Sequence, residues 1–301
     1  MKNTDVYLYG MTLATTSFLL DGGFLRPDEY SEISKKYRLP GGETGSCATV
    51  LASLGVSSAI DGNHIGTNVA PVLREFYKDK PVDLSLLYMD ENYDGLEDFV
   101  VIADDIRSPM GMFGHYYTDK IKRWNKPSED AARSCKVAAI DPFFGDESTL
   151  AAEFCVRHGK AYVTIDCRHD SFLHKHAAVT VISGEGIENN NYKGMSREEI
   201  YRLFADNTDG LTIITNGSRP LLYGRKGEDA KYLAPYKTNV VSTLGAGDTF
   251  KAGCVYALLN SMDDDATVRF ASACSAVAVS RFPLPLNPPR LDEINAVMRN
   301  A

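Results

Sequence analysis

No run in this 301-residue sequence approaches the roughly 20 consecutive apolar residues that a membrane-spanning helix needs. The apolar stretch near the start, Val6-Tyr7-Leu8-Tyr9-Gly10, is also too short for the core of a secretory leader. The six cysteines (Cys47, Cys135, Cys155, Cys167, Cys254, Cys274) are scattered and never form a Cys-x-x-Cys pair. Reduced core thiols in a cytoplasmic protein are the simplest reading of that pattern. An excess of basic charge is missing as well. With 40 acidic and 32 basic residues the net charge is −8, so nothing suggests a nucleic-acid surface. Internal repeats and low-complexity segments are absent too. What remains is an ordinary globular composition, 44% hydrophobic and 24% charged, with enough material for one large α/β domain spanning 1–301.

The middle of the chain alternates strand-like and helix-like segments. Short apolar runs at 136–141, 161–166, 177–183 and 211–215 predict strands. Between them, 150–158 carries Leu150, Phe154 and Cys155 on one helical face. Ser196-Arg197-Glu198-Glu199 looks like an N-cap with its capping-box acid, opening a helix that runs through Phe204. Such alternation argues a doubly wound sheet, mostly parallel, with helices on both faces. Ligands of these sheets collect beyond the carboxyl ends of the strands, where Asp141, Asp166, Ser183 and Thr215 fall. Two segments break the alternation, near 13–45 and 84–118. In the second, strand-like 86–89 and 98–102 flank the turn signal Asp94-Gly95 and predict a hairpin. The expectation is a small β-rich lid on a larger α/β body. The Pro-rich stretch 282–289 reads as a loop before a last short helix at 291–298.

The most informative stretch is Thr243-Leu244-Gly245-Ala246-Gly247-Asp248-Thr249-Phe250. Phe250, Cys254, Ala257 and Leu258 follow at helical spacing, which places the small residues at a helix N-terminus. Free amides and the helix dipole make such a turn an anion site, and only Gly and Ala admit a phosphate closely. A carboxylate in the same turn would repel that phosphate. Its presence makes sense if Asp248 takes a proton from an acceptor hydroxyl while the amides hold a transferring phosphoryl group. The bland reading is a Gly-rich turn in which Asp248 merely caps the helix.

This run resembles the C-terminal signature of the PfkB, or ribokinase-like, family of carbohydrate kinases, D-T-x-G-A-G-D-x-F. Upstream, Gly41-Gly42-Glu43-Thr44-Gly45-Ser46-Cys47-Ala48 with Leu51, Leu54 and Gly55 resembles the N-terminal signature, G-G-x-x-x-N-x-A-x-x-L-x-x-L-G. The two lie roughly 200 residues apart in the family's order. The resemblance implies a ribokinase-like α/β fold and ATP-dependent phosphorylation of a hydroxymethyl group on a sugar-like molecule. It also implies Mg²⁺ on the nucleotide phosphates and a β-lid that is often shared across a homodimer. Carried over by position, Asp248 is the base, Gly245, Ala246 and Gly247 form the anion hole, and Gly41 and Gly42 line the acceptor site. Thr215, Asn216 and Gly217 match a strand end that lies along the nucleotide. The small-residue segment 271–278, with Ser272, matches the helix beside adenine, although small residues also serve tight helix packing. Arg107 falls near the family's lid arginine, and taken alone reads as a solvated side chain.

Several positions depart from the family pattern. Thr15 stands where an acceptor-binding Asp is usual, Ser46 replaces Asn, Asn68 replaces an acid, and Ser242 replaces the Asp that opens the catalytic signature. Neutral hydroxyls and amides both donate and accept, whereas an ionised Asp only accepts. The acceptor side is therefore expected to differ from that of ribose or fructose kinases, and Ser242 leaves a monovalent-cation site open. Glu185, after Ile182 and Ser183, is the nearest match to the family's metal-tuning acid, acting through water on Mg²⁺. Two rivals remain at this level. One is a sugar- or nucleotide-binding regulator of the same fold that has lost catalysis. The other is a metal site in 167–176, which holds Cys167, His169, Asp170, His174 and His176 but lacks standard zinc spacing and reads more simply as a polar loop and helix start.

Overall fold

The computed structural model describes residues 4–24, 27–103, 106–189, 192 and 194–300. The chain opens with β1 (Val6–Gly10), β2 (Leu13–Asp21) and β3 (Glu32–Gly41), then α1 (Gly42–Ser53), β4 (Ser58–Gly62), β5 (Ile65–Gly66) and α2 (Val69–Tyr77). There follow β6 (Val82–Asp83), β7 (Met89–Asp90), β8 (Glu97–Ala103), β9 (Ile106–Gly111), α3 (Phe113–Thr118) and α4 (Glu129–Ser134). The alternating part comprises β10 (Val137–Ile140), α5 (Asp146–Arg157), β11 (Ala161–Ile165), α6 (Phe172–His176), β12 (Val179–Ile182), α7 (Gly184–Asn189) and α8 (Arg197–Ala205). Last come β13 (Leu211–Ile214), β14 (Leu221–Gly224), β15 (Lys231–Leu233), α9 (Ala246–Leu259), α10 (Asp264–Val279) and α11 (Leu291–Arg299).

Nine strands form one sheet in the order β15-β14-β13-β12-β11-β10-β1-β4-β6, parallel from β13 to β6 and antiparallel at β14 and β15. Its parallel strands β1, β4, β10, β12 and β13 are buried on both faces, as parallel sheets require. Val6 and Leu8 of β1 point into a core shared with α1, α2, α9 and α10. Tyr7 and Tyr9 of the same strand face a second core with α4, α5 and α6. Ile182, Ile214 and Leu222 pack against Ile200, Tyr201 and Phe204 of α8. Ser196 caps α8 with the full capping box expected from the sequence.

The lid is a separate four-stranded sheet in the order β3-β2-β8-β9. It is narrower than the two irregular segments suggest, because Gly42–Ser53 is a helix of the body. The expected hairpin around Asp94-Gly95 does not form. Met89–Asp90 pairs in parallel with Ile65–Gly66, and the turn docks on the body, where Thr67 N and Asn68 N donate to the carbonyls of Tyr93 and Asp94 (2.8 and 2.9 Å). Glu97–Ala103 instead pairs in parallel with β2 and antiparallel with β9. A turn dipeptide specifies a local bend, and here long-range pairing decides what the flanking segments join.

Helices α9 and α10 pack very closely. A Cβ on Gly253 would lie 2.6 Å from Ala271 Cα, a backbone atom that cannot swing aside. Replacing Gly253→Ala should therefore separate the helices and cost about 1–3 kcal/mol. Urea denaturation should show that loss as a lower midpoint with an unchanged slope.

Candidate active site

Six features converge beyond the carboxyl edge of the sheet: the ends of β1 and β10, the N-termini of α1 and α9, and the inner faces of the lid and α3. Helix α9 begins at Gly245, whose φ of 79° is left-handed and favours glycine. Ala246 N donates to Thr243 O at 3.2 Å and Thr249 N to Gly245 O at 2.9 Å. The amides of Gly247 and Asp248 have no hydrogen-bond acceptor among the described residues. Added side-chain bulk at Gly247 would enter open space. Two free amides at a helix start, with room before them, make an anion site. Ser275 of α10 braces the turn by donating to Ala246 O at 3.0 Å.

Asp248 is half-buried in the first turn of α9. Loss of water pushes its carboxyl up to about 6; Lys251 pulls it down, Asp141 adds to the rise, and the Ser46 hydroxyl and the Arg107 charge oppose it. The carboxylate thus faces Ser46 from α1 and feels Arg107 from the lid, two of the residues singled out in the sequence. Glu43, on the same turn of α1 as Gly42, is pushed further, to about 8, by burial and by the charges of Asp248 and Asp141. In this pair Asp248 gives up its proton first.

Beneath them lies a contact that the sequence reading missed. Lys251 Nζ sits 2.6 Å from Asp141 Oδ1, with both side chains 1% exposed. Asp141 Oδ2 accepts from Thr44 Oγ1 at 2.8 Å, and its backbone N donates to Tyr9 O at 2.9 Å. Burial works against the charge on Lys251, but the surrounding acids, Asp141 first, more than offset it and raise its pKa. The signal in the sequence was a single lysine inside an otherwise apolar helix run, 249–259. Gly10 makes the arrangement sterically feasible, because a Cβ there would collide with Asp141 and Thr44.

On the side of the lid, Thr15 covers Gly41 so closely that only glycine fits below it. Thr15 pairs across β2 and β8 with Asp98, and the Thr15 hydroxyl favours the Asp98 carboxylate while burial disfavours it. Gly42, with φ 75°, packs on the Met11 carbonyl, which also accepts from Thr44 N at 2.9 Å. Asn68 stands apart from this group. It is exposed at the start of α2, and its carbonyl accepts from Arg38 of the lid at 3.1 Å.

On the opposite side, Thr215 ends β13, with its N donating to Ile182 O at 2.9 Å and its carbonyl bonded by Arg197. Asn216 and Gly217 (φ 58°) form the turn into β14. Ser183 donates to both carboxylate oxygens of Asp166, through N at 2.7 Å and Oγ at 2.9 Å. Glu185 is exposed on the first turn of α7, near enough for its charge to raise Asp166 further. Ser272 is buried on α10. Ser242 is buried and accepts from Leu244 N at 3.2 Å, shaping the approach to the turn.

The segment 167–176 is accounted for structurally. Ser171 caps α6, and His174 is buried with its two ring nitrogens on Thr180 Oγ1 (3.0 Å) and Phe204 O (2.8 Å). Among the described residues no group of three His, Cys, Asp or Glu could hold a metal ion. All six cysteines are buried free thiols. No helix among the described residues is long and apolar enough to cross a membrane.

The two layers, the lid and the cleft between them define a ribokinase-like α/β protein. The family model described as pfkB family carbohydrate kinase matches residues 193–284. It is 30% identical over 112 residues to 5-dehydro-2-deoxygluconokinase of Halalkalibacterium halodurans, covering 37% of this chain and 34% of that protein. The match thus spans about a third of that relative's length. Over the full length the likeness is of fold. A putative ribokinase from Agrobacterium tumefaciens superposes with a TM-score of 0.86 at 16% identity, covering 99% of this chain and 98% of the other. Arabidopsis thaliana ribokinase complexed with ribose and ATP gives 0.80 at 16% identity, covering 98% and 99%.

Replacing Lys251→Met should strand the Asp141 carboxylate without its partner. The expected loss is about 3–5 kcal/mol, read from urea unfolding followed by far-UV circular dichroism.

Proposed function

We propose that this protein is an ATP-dependent kinase that phosphorylates a hydroxyl, of hydroxymethyl type, on a sugar or sugar-like acceptor. The observation that carries the reading is the turn 245–248, where two unpaired helix amides and a half-buried carboxylate share one turn. A binding protein without catalysis gains nothing from an acid beside a phosphate. A kinase needs both groups, since the acceptor must lose a proton while the transferring phosphoryl group gathers negative charge. The pfkB match over 193–284 contains this turn, which supports the same reading.

In this mechanism the acceptor lies between Gly41, Gly42, Thr15 and Ser46 under the lid, its hydroxyl against Asp248. Asp248 takes the proton as the acceptor oxygen bonds to the γ-phosphorus, and the bond from that phosphorus to the β–γ bridging oxygen breaks to release ADP. The amides of Gly247 and Asp248, in the turn Gly245-Ala246-Gly247, hold the oxygens of the transferring group. Arg107 contributes positive charge from the lid. Thr215, Asn216 and Gly217 line the nucleotide, with Ser183 and Ser272 on the same side. Glu185, exposed and close enough to act on Asp166, would offer magnesium a hard oxygen, and this ion keeps much of its water and takes few protein ligands. Bound there, it would neutralise phosphate charge. The names of the relatives and fold neighbours, which include a 5-dehydro-2-deoxygluconokinase, ribokinases and a nucleoside kinase, suggest a panel of pentoses, ketoses, sugar acids and nucleosides as acceptors. A cytoplasmic location and a homodimer joined through the lid complete the proposal.

The test is a coupled ADP-release assay across that panel. One acceptor should raise turnover well above background hydrolysis, and no stimulation by any acceptor would leave the kinase reading without support. With that acceptor, Asp248→Asn should lower kcat by about 10²–10⁴-fold while the KM for ATP changes little. Because the base must be deprotonated, wild-type kcat should rise with pH through about 6. Gly247→Val places bulk in the space before the amides and should abolish turnover; unaltered turnover would refute the anion site.

A further inference from the structure

Lys251 lies three residues after Asp248 on α9, so the two share a helix face. A buried lysine is costly unless paired, and this one is paired with an acid from a different element. The pairing joins three pieces of the cleft through one carboxylate: α9 through Lys251, α1 through Thr44, and the end of β10 through Asp141 itself. Neither Lys251 nor Asp141 has the exposure to be reached by an acceptor. Their place is underneath the groups that would be.

We propose that Lys251 is a positioning residue, whose ammonium, locked on Asp141, fixes Asp248 in place and holds it as an anion. This rests on the kinase reading only for its kinetic arm. The charged and titratable groups around Lys251 and Asp248 come from every side. Glu43 and Cys47 face them from α1, together with the Ser46 hydroxyl. Asp141 faces them from β10, with the charge of Asp166 behind it. Arg107 acts from the lid, and Tyr117 of α3 lies against Glu43 and Asp141. Of these, Lys251 is the buried cation. Removing it leaves Asp248 among acids, opposed among the described residues by the Ser46 hydroxyl and the exposed Arg107. Loss of an opposite charge at close range moves a carboxyl group upward by about 1–3 pH units.

The experiment compares wild type, Lys251→Met and the double variant Lys251→Met/Asp141→Asn, which removes both charges and leaves none unpaired. The acid limb of the kcat–pH profile should move upward by about one pH unit or more in Lys251→Met. At pH 7, kcat should fall about twofold for a one-unit movement and about tenfold for a two-unit movement, with the KM for ATP within about twofold of wild type. If the single variant does not fold, the double variant carries the test, because a smaller upward movement remains expected when the stronger of two opposed influences is removed with the weaker. A folded variant with wild-type kcat and an unmoved acid limb would overturn the proposal. Carbon NMR of aspartate-labelled protein, with Asp248 assigned by Asp248→Asn, reads the same carboxyl without turnover. If wild type phosphorylates no acceptor, the kinase reading fails while the titration still decides the role of Lys251. An Asp248 signal that titrates identically in wild type and variant would sink it.

Discussion

One carboxylate, that of Asp141, ties the cleft together. It leaves the end of a central strand, accepts from Thr44 on one helix, and binds Lys251 on another. Each of those helices carries one half of the chemistry on its first turn. The α1 turn presents Gly42, Glu43 and Ser46, while α9 presents the free amides and Asp248. A helix N-terminus is a directional device, useful only if aimed correctly. Fixing two of them on one buried, charged point sets their mutual geometry within the reach of single hydrogen bonds. The sheet supplies the rest by ending β1, β10, β11, β12 and β13 at the same edge.

The cleft is uneven in character. The α9 side is backbone, small residues and a helix dipole. The opposite side is a collection of side chains from the lid and α1, with acids at Glu43 and Asp98 and hydroxyls at Thr15 and Ser46. The acid that Thr15 lacks is offered by its neighbour across the parallel pair, Asp98.

Much of this was legible in the chain. The alternating segments gave the parallel sheet, because strands buried on both faces read as short apolar runs whatever their neighbours. The turn 245–248 was legible because its chemistry is local: glycine conformations, a helix start and an acid within a few residues. Ser196 and its capping box were legible for the same reason. The Asp94-Gly95 turn misled because β8 pairs with a strand some eighty residues upstream, which no local pattern encodes. Lys251 and Asp141 escaped since they are 110 residues apart, and an ion pair at that separation has no periodicity. Asn68 lies on the surface with its carbonyl on Arg38 of the lid, a contact between distant segments that no local pattern encodes.

The first strand of this sequence lies in the interior of the sheet. β1 has β4 on one side, complete by Gly62, and β10 on the other, which begins at Val137. A ribosome working at about 5–20 residues per second delivers that second neighbour on the order of 4–15 s after the first. Throughout the interval the hydrogen-bonding edge of β1 is bare, flanked by Val6 and Leu8 on one face and Tyr7 and Tyr9 on the other. Bare apolar edges recruit other chains. Biosynthesis of this protein is therefore most exposed to misassociation while its first half is finished and its second has not yet emerged.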